Sequence, residues 1–139
     1  MKDRLTALII DDMKAARYEI TDLLLQYIPD LKILEAEDGL DGYALIQRNI
    51  QQIDMVFTDI NMPQVNGLKL IKILREVESF KILPIIVVSV LNAREDIEKA
   101  LSLGASGYLT KPVKRADFEI IYSAVIEPLL KERTRPLHL

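Results

Sequence analysis

Five residues with charged or reactive side chains follow the ends of short apolar runs in this sequence. They are Asp11 and Asp12 after the first run, Asp59 after a later one, and Ser89 and Lys111 after two others. Three carboxylates gathered at one place repel one another unless a cation lies among them. Oxygen ligands without a nearby histidine or cysteine select a hard cation, and a few carboxylates with waters suit Mg²⁺ better than Ca²⁺. The residue types therefore predict a magnesium site, provided that the fold brings them together.

A lysine and a hydroxyl beside such a site point to phosphoryl transfer. The metal and Lys111 would neutralise the oxygens of the moving phosphoryl group, and Ser89 would donate a hydrogen bond to one of them. Asp59 would be the in-line nucleophile that becomes an aspartyl phosphate. Singly, these residues have ordinary explanations, which are a helix N-cap for Asp12, the start of a turn for Asp59, a strand end for Ser89 and a solvated loop lysine for Lys111. Their joint placement at successive strand ends favours the chemical interpretation.

The stretch around Asp59 indicates how these side chains would be positioned. Met55, Val56 and Phe57 form an apolar run too short for a helix, which indicates a strand buried on both faces. Asp59 lies at the carboxyl end of that strand. In open α/β sheets, ligands bind in the crevice outside the carboxyl ends of the strands.

The alternation of a strand with a helix occurs five times along the chain. The predicted strands cover residues 5–10, 31–36, 55–57, 83–89 and 106–109, and each is followed by a helical pattern after only a few residues. Alternation of this kind predicts a parallel sheet with helices on both faces and right-handed crossover connections.

Local signals predict several helix boundaries. Asn92 and Glu95 resemble a capping box, and Gly104 would close the helix that they start. Pro128 lies within the last helical pattern and should end or kink that helix near Glu127, because proline lacks an N–H and clashes with the preceding turn. We therefore predict one domain over residues 1–127, followed by a tail or the start of a linker over residues 128–139.

The composition argues against several functional classes. The chain has 139 residues, the size of one domain, and contains no cysteine, which excludes disulfides and thiolate chemistry. The only histidine is His138 in the predicted tail. A net charge of −3, from 18 basic and 21 acidic residues spread along the chain, is not typical of nucleic-acid or membrane binding. No apolar run is long enough for a membrane span or a signal sequence, and we expect a cytoplasmic protein.

From about Leu5 to Glu127, the chain resembles the receiver domain of two-component response regulators. The matching motifs are Asp11-Asp12, Asp59 followed by Met62-Pro63 and Gly67, the strand that ends in Ser89, and Gly104-Ala105 through Tyr108-Leu109-Thr110-Lys111-Pro112. The resemblance implies a flavodoxin-like (βα)5 fold of the α/β class. In this fold a five-stranded parallel sheet of order 2-1-3-4-5 forms the middle layer of a three-layer sandwich.

The resemblance also implies how the site works. Asp59 would accept a phosphoryl group from the phosphohistidine of a sensor histidine kinase or a histidine phosphotransfer protein, or from a small acyl phosphate. Mg²⁺ would be held by Asp12, Asp59 and the backbone carbonyl of Asn61, with Asp11 binding through water. The peptide bond between Lys111 and Pro112 would be cis. Such a protein is a switch rather than an enzyme, because its only substrate is its own aspartate.

Ser89 and Tyr108 would form the switch. Phosphorylation would draw the Ser89 hydroxyl inward, and the vacated space would admit the Tyr108 ring and change the surface made by the fourth helix, fifth strand and fifth helix. The partners would be a downstream effector, a covalently linked output domain or a second copy that forms a homodimer through that surface. The ordinary explanation of Tyr108 is an aromatic residue half-packed on an edge strand.

Two alternatives remain. A pseudo-receiver would have the same fold and act as a constitutive protein-interaction module, but the complete set of acceptor, metal and switch residues argues against it. An aspartyl-phosphate phosphohydrolase would generally resemble Asp-x-Asp at the nucleophile, whereas the residue two positions after Asp59 is Asn61. Val90 stands where the family usually has a small residue, and its branched side chain is predicted to narrow the path of a small donor to Asp59.

Overall fold

The protein is described by a computed structural model over residues 4–134. The strands in this range are β1 Thr6–Ile10, β2 Lys32–Ala36, β3 Met55–Thr58, β4 Ile85–Ser89 and β5 Gly107–Thr110. The helices are α1 Lys14–Tyr27, α2 Gly39–Arg48, α3 Gly67–Arg75, α4 Arg94–Leu103, α5 Arg115–Ile121 and α6 Glu127–Thr134, with a 3-10 turn at Glu78–Phe80 and a π-helical turn at Tyr122–Ile126. The five predicted strands are present, and their ends lie within two residues of the predicted ends.

All neighbouring strands are parallel, and their order is β2-β1-β3-β4-β5. The predicted order 2-1-3-4-5 is confirmed. One core lies on the face covered by α2, α3 and α4, which contribute Ile46, Leu70 and Ala100. The other core lies under α1 and α5, which contribute Leu24 and Phe118. The fold is therefore a three-layer sandwich, in which β3 is central and buried along its whole length. Within residues 4–134, no helix combines the length and the apolar character that a membrane span requires.

The start of α4 differs from the prediction. The helix begins at Arg94 with Ala93 as its N-cap, and no side chain caps it. The predicted capping box is wrong because the N-cap is Ala93, which has no side-chain oxygen to accept a backbone N–H, and Asn92 lies one residue before the cap. The end of α4 is as predicted, since Gly104 adopts a left-handed conformation with φ of 117°.

The last helix does not end at Glu127, so of the two outcomes predicted from Pro128, an end or a kink, the end is wrong. The backbone stays helical through the π-helical turn and continues as α6 to Thr134. Pro128 directly follows the π-helical turn, in which the N–H of Glu127 bonds to the carbonyl of Tyr122, so the ordinary i to i−4 bonding is already interrupted where proline cannot donate. Leu129 and Leu130 pack against the core beneath α1 and α5. The domain boundary after residue 127 stays a prediction, and residues 135–139 of the predicted tail lie outside the described range.

Candidate functional site

Asp59 immediately follows the central strand and is only 8% exposed. Its N–H donates to the carbonyl of Ile10, at the end of neighbouring β1, over 3.0 Å. The hydroxyl of Thr58 donates to the Asp59 carbonyl at 2.9 Å, and the N–H of Ile60 donates to Asp59 Oδ1 at 2.7 Å. These bonds fix the backbone and one carboxylate oxygen, and they leave Oδ2 as the oxygen that faces Lys111.

Asp11 and Asp12 reach the same edge because β1 is paired with β3. One carboxylate oxygen from each of Asp11, Asp12 and Asp59 lies within 4.8 Å of the other two. Asp12 is exposed and does not cap α1, whose N-cap is Met13 without a side-chain bond, so the N-cap explanation of Asp12 is wrong. A cluster made only of carboxylate oxygens suits a hard divalent cation of the Mg²⁺ type.

Lys111 follows β5 and joins two of these carboxylates. Its Nζ lies 2.6 Å from Asp11 Oδ2 and 3.1 Å from Asp59 Oδ2, and its side chain is 18% exposed. The explanation of Lys111 as a solvated loop lysine is therefore wrong. The Lys111–Pro112 peptide bond is cis, as the resemblance implied. Burial alone would lower the pKa of Lys111, but the hydrogen bonds to Asp11 and Asp59 and the charges of these carboxylates outweigh burial and raise it above 10.5.

The raised pKa of Lys111 predicts how the free energy of unfolding of the metal-free protein changes at alkaline pH. The ion pairs of Lys111 should stabilise the fold fully below its ordinary pKa of 10.5, and this contribution should disappear as the pH rises through the higher pKa of the folded protein. Urea unfolding of the wild type and of Lys111→Met should therefore show a difference in free energy that shrinks above pH 10.5. A difference that stays constant across this range would contradict the prediction.

Ser89 and Tyr108 meet at the loop that follows β4. Ser89 ends the strand and is fully buried, and its Oγ accepts the N–H of Leu91 at 3.2 Å. The half-buried Tyr108 donates its hydroxyl to the Leu91 carbonyl at 2.5 Å. Burial is the main reason that the pKa of Tyr108 is raised above its ordinary value. A hydrogen bond with Ser89 acts in the opposite direction, and the negative charges of Asp96 and Asp59 raise the pKa further. The backbone of Leu91 therefore connects the two predicted switch side chains.

The loop between β3 and α3 folds back tightly on Asp59. The N–H of Gly67 donates to the Ile60 carbonyl at 2.9 Å. A Cβ atom on Gly67 would lie 2.0 Å from the backbone oxygen of Asp59, so that only glycine fits there without a shift of backbone. Asn61 lies in this loop and is exposed, and the role of its carbonyl as a metal ligand stays a prediction.

Sequence reasoning missed Arg17, a residue of α1 that contacts the loop after β1, in which Asp11 and Asp12 lie. Arg17 is 8% exposed, and its Nη1 lies 2.7 Å from the backbone carbonyl of Asp11. A signal was available, because Arg17 lies three residues before Ile20 and seven before Leu24, on the apolar face of α1. A charged residue at such a position is rarely buried unless it has a specific partner.

The comparisons with known proteins agree with this architecture. The family model of the response regulator receiver domain matches residues 7–122. The chain is 33% identical over 105 residues to a chemotaxis protein CheY homolog of Campylobacter jejuni. This alignment covers 76% of this chain and 79% of that protein. It is also 33% identical over 122 residues to chemotaxis protein CheY-3 of Vibrio cholerae. That alignment covers 88% of this chain and 92% of the Vibrio protein.

A solved structure is similar over most of the chain. It is the CheX-CheY-BeF3-Mg²⁺ complex from Borrelia burgdorferi, with a TM-score of 0.76, 25% identity, and coverage of 86% of this chain and 87% of that one. The strand order, the acidic edge of the sheet and the family match lead to one conclusion. The chain belongs to the response regulator receiver domain family, the CheY-like receivers of two-component signalling.

Proposed function

We propose that this receiver is a phosphorylation-activated switch whose phosphoacceptor is Asp59. The observation that supports the proposal most directly is the position of Asp59, which shares the ammonium of Lys111 with Asp11 at an edge where three carboxylates converge. The donor would be the phosphohistidine of a sensor histidine kinase or a histidine phosphotransfer protein. A carboxylate oxygen of Asp59 would form the new bond to phosphorus as the P–N bond breaks, and the imidazole nitrogen would keep the electron pair.

The surrounding residues would stabilise the transferred group. Asp11, Asp12, Asp59 and the backbone carbonyl of Asn61 would hold Mg²⁺, directly or through water, and the ion would supply positive charge to the phosphoryl oxygens. The ammonium of Lys111, already beside Asp59, would neutralise another of these oxygens. The chemistry would end on the protein's own aspartate, so the protein would act as a switch and not turn over a separate substrate.

The output would depend on the loop after β4. The Ser89 hydroxyl would leave the N–H of Leu91 to bind a phosphoryl oxygen, and Tyr108 would move with the backbone of Leu91 to which it is bonded. This change would bias the surface formed by α4, β5 and α5 between two arrangements. The same surface exposes Leu101 and Ile120, and we propose that it binds a downstream effector, a linked output domain or a second copy of the chain.

Intact mass spectrometry tests the proposed function. Incubation of the wild type with acetyl phosphate and Mg²⁺ should add one phosphoryl group, a gain of about 80 Da. The gain should disappear when the metal is removed with a chelator, because the acceptor carboxylate and the donor are both negatively charged. If no gain occurs, beryllofluoride with Mg²⁺ should still change the fluorescence or the NMR signals of Tyr108. The absence of both responses would support the pseudo-receiver alternative.

Val90 should limit the reaction with a small donor. Val90 is 63% exposed and directly follows Ser89, and we propose that its branched side chain borders the approach to the site. We expect Val90→Ala to react several-fold faster with acetyl phosphate, as measured by the rate of mass gain, and to keep its metal requirement. Equal rates for the variant and the wild type would show that Val90 does not restrict access.

A further inference from the structure

Arg17 is a buried cation that the proposed phosphoryl transfer does not itself use. It projects from α1 and is 8% exposed. Its Nη1 donates to the backbone carbonyl of Asp11 at 2.7 Å, and its Nε donates to Glu35 Oε1 at 2.9 Å. Arginine is seldom buried to this extent without a partner, and the planar guanidinium can bind two groups at once. Arg17 therefore ties the loop after β1 to strand β2.

The other bonds of Asp11 show what this connection holds in place. The N–H of Asp11 donates to the carbonyl of Ala36 at 3.1 Å, so the loop is attached to the end of β2. Asp11 Oδ1 accepts the N–H of Met13 at 2.9 Å, and Oδ2 lies 2.6 Å from Nζ of Lys111. With Arg17 on the carbonyl, both backbone polar groups and both carboxylate oxygens of Asp11 are engaged. The orientation of Asp11 toward the site is thus determined from four directions.

We propose that Arg17 is a positioning residue for the metal site. By holding the Asp11 carbonyl, Arg17 keeps the loop after β1 in the conformation in which Asp11 and Asp12 present their oxygens beside Asp59. This inference rests on the proposed function, because it assigns Arg17 a part in metal binding at that same site.

Glu35 has a complementary part. A guanidinium that touches a metal-binding residue would oppose a cation electrostatically if its charge were not balanced. The carboxylate of Glu35, bonded to Nε of Arg17, balances that charge and also orients the guanidinium. Arg17 can therefore fix the loop without adding a net positive charge to the base of the site.

The chain offers a matched control in Arg48. Arg17 and Arg48 line the same open cavity of about 300 Å³, but Arg48 is exposed and its hydrogen bond goes to Ala44 of its own helix. Replacing either arginine with methionine removes one positive charge from the cavity wall. Only the replacement of Arg17 removes a contact with Asp11.

Calorimetric titration with Mg²⁺ alone, on the phosphate-free protein, tests the inference. We expect Arg17→Met to bind Mg²⁺ about 10- to 100-fold more weakly than the wild type, the usual effect of removing a group that orients a metal ligand. Arg48→Met should bind like the wild type. Arg17→Lys should be intermediate, because an ammonium keeps the charge but cannot reproduce the two-pronged contact.

A second readout separates positioning from loss of stability. In phosphorylation with acetyl phosphate, Arg17→Met and Arg17→Lys should need more Mg²⁺ for half-maximal rate and should approach the wild-type rate at saturating Mg²⁺. If Arg17→Met does not fold, the comparison of Arg17→Lys with Arg48→Met answers the same question. Equal Mg²⁺ affinity in the Arg17 variants and Arg48→Met would overturn the role of Arg17 and leave the proposed function intact. No binding of Mg²⁺ by the wild type would contradict both the proposed function and the role of Arg17.

Discussion

Replacing Asp59 with asparagine should abolish the addition of a phosphoryl group to the protein. Asparagine has nearly the shape of aspartate, and its side-chain oxygen can still accept the N–H of Ile60 that now bonds to Asp59 Oδ1 at 2.7 Å. The amide lacks the anionic oxygen that attacks phosphorus, and it also removes one charge from the metal cluster. We therefore expect a folded protein with no gain in intact mass after incubation with acetyl phosphate and Mg²⁺.

Asp54→Asn provides a control on the same stretch of chain. Asp54 precedes β3 at the opposite end from Asp59, and its Oδ2 accepts the N–H of Thr6 at 2.7 Å, a bond that an amide oxygen can also make. This variant should be phosphorylated like the wild type. A mass gain that persists in Asp59→Asn would place the acceptor on another residue and contradict the assignment of Asp59.

Gly67→Ala should reduce both stability and phosphorylation. The added Cβ would lie 2.0 Å from the carbonyl oxygen of Asp59, and this oxygen belongs to the backbone and cannot rotate away as a side chain would. Overpacking of this kind costs about 1–3 kcal/mol in the free energy of unfolding. A displacement of Asp59 by about 1 Å would reduce the rate of phosphoryl transfer by about 100-fold. Urea unfolding and the rate of mass gain measure the two effects.

Gly42→Ala is the matched control for this prediction. Gly42 is buried in α2, and a Cβ there would lie 2.5 Å from Cδ1 of Ile10, the terminal atom of a side chain that can rotate, in contrast to a backbone oxygen. Alanine is also more favourable than glycine in a helix by about 1 kcal/mol, and this gain offsets the cost of the close contact with Ile10. We expect Gly42→Ala to keep nearly the wild-type stability and rate. If Gly67→Ala behaves in the same way, the loop is not held as tightly as its geometry indicates.

The elements of the fold were predictable because their signals are local. The buried runs that became β1, β3 and β4 are apolar on both faces, and turns or polar residues interrupt them at their ends. Once five strand–helix units follow one another with short connections, the carboxyl ends of the strands must share an edge. The convergence of Asp11, Asp12, Asp59 and Lys111 follows from that constraint, and the structure places them within bonding or ligand distance.

The errors at helix ends have a different cause. Asn92 and Pro128 are the residues that a local rule uses to start or to stop a helix. In the folded protein, α4 starts two residues after Asn92, and the last helix continues past Pro128 while Leu129 and Leu130 pack on the core. For the last helix, the packing of Leu129 and Leu130 on the core can offset the local cost of a proline, about 3 kcal/mol in a helix interior, so that tertiary contacts decided this boundary.

The sequence by itself determined the strands, the strand-end carboxylates and their common edge, since these depend on residue type and on short-range spacing. Only the tertiary structure decided that Lys111 contacts Asp11, 100 positions away in the sequence. The same is true of the hydrogen bond from Arg17 to Glu35, which lies 18 positions away. The physical reason is that a side-chain hydrogen bond depends on distances of a few tenths of an ångström. Such distances are set by the packing of α1 and of the loop after β5 onto the sheet, which no local pattern in the sequence specifies.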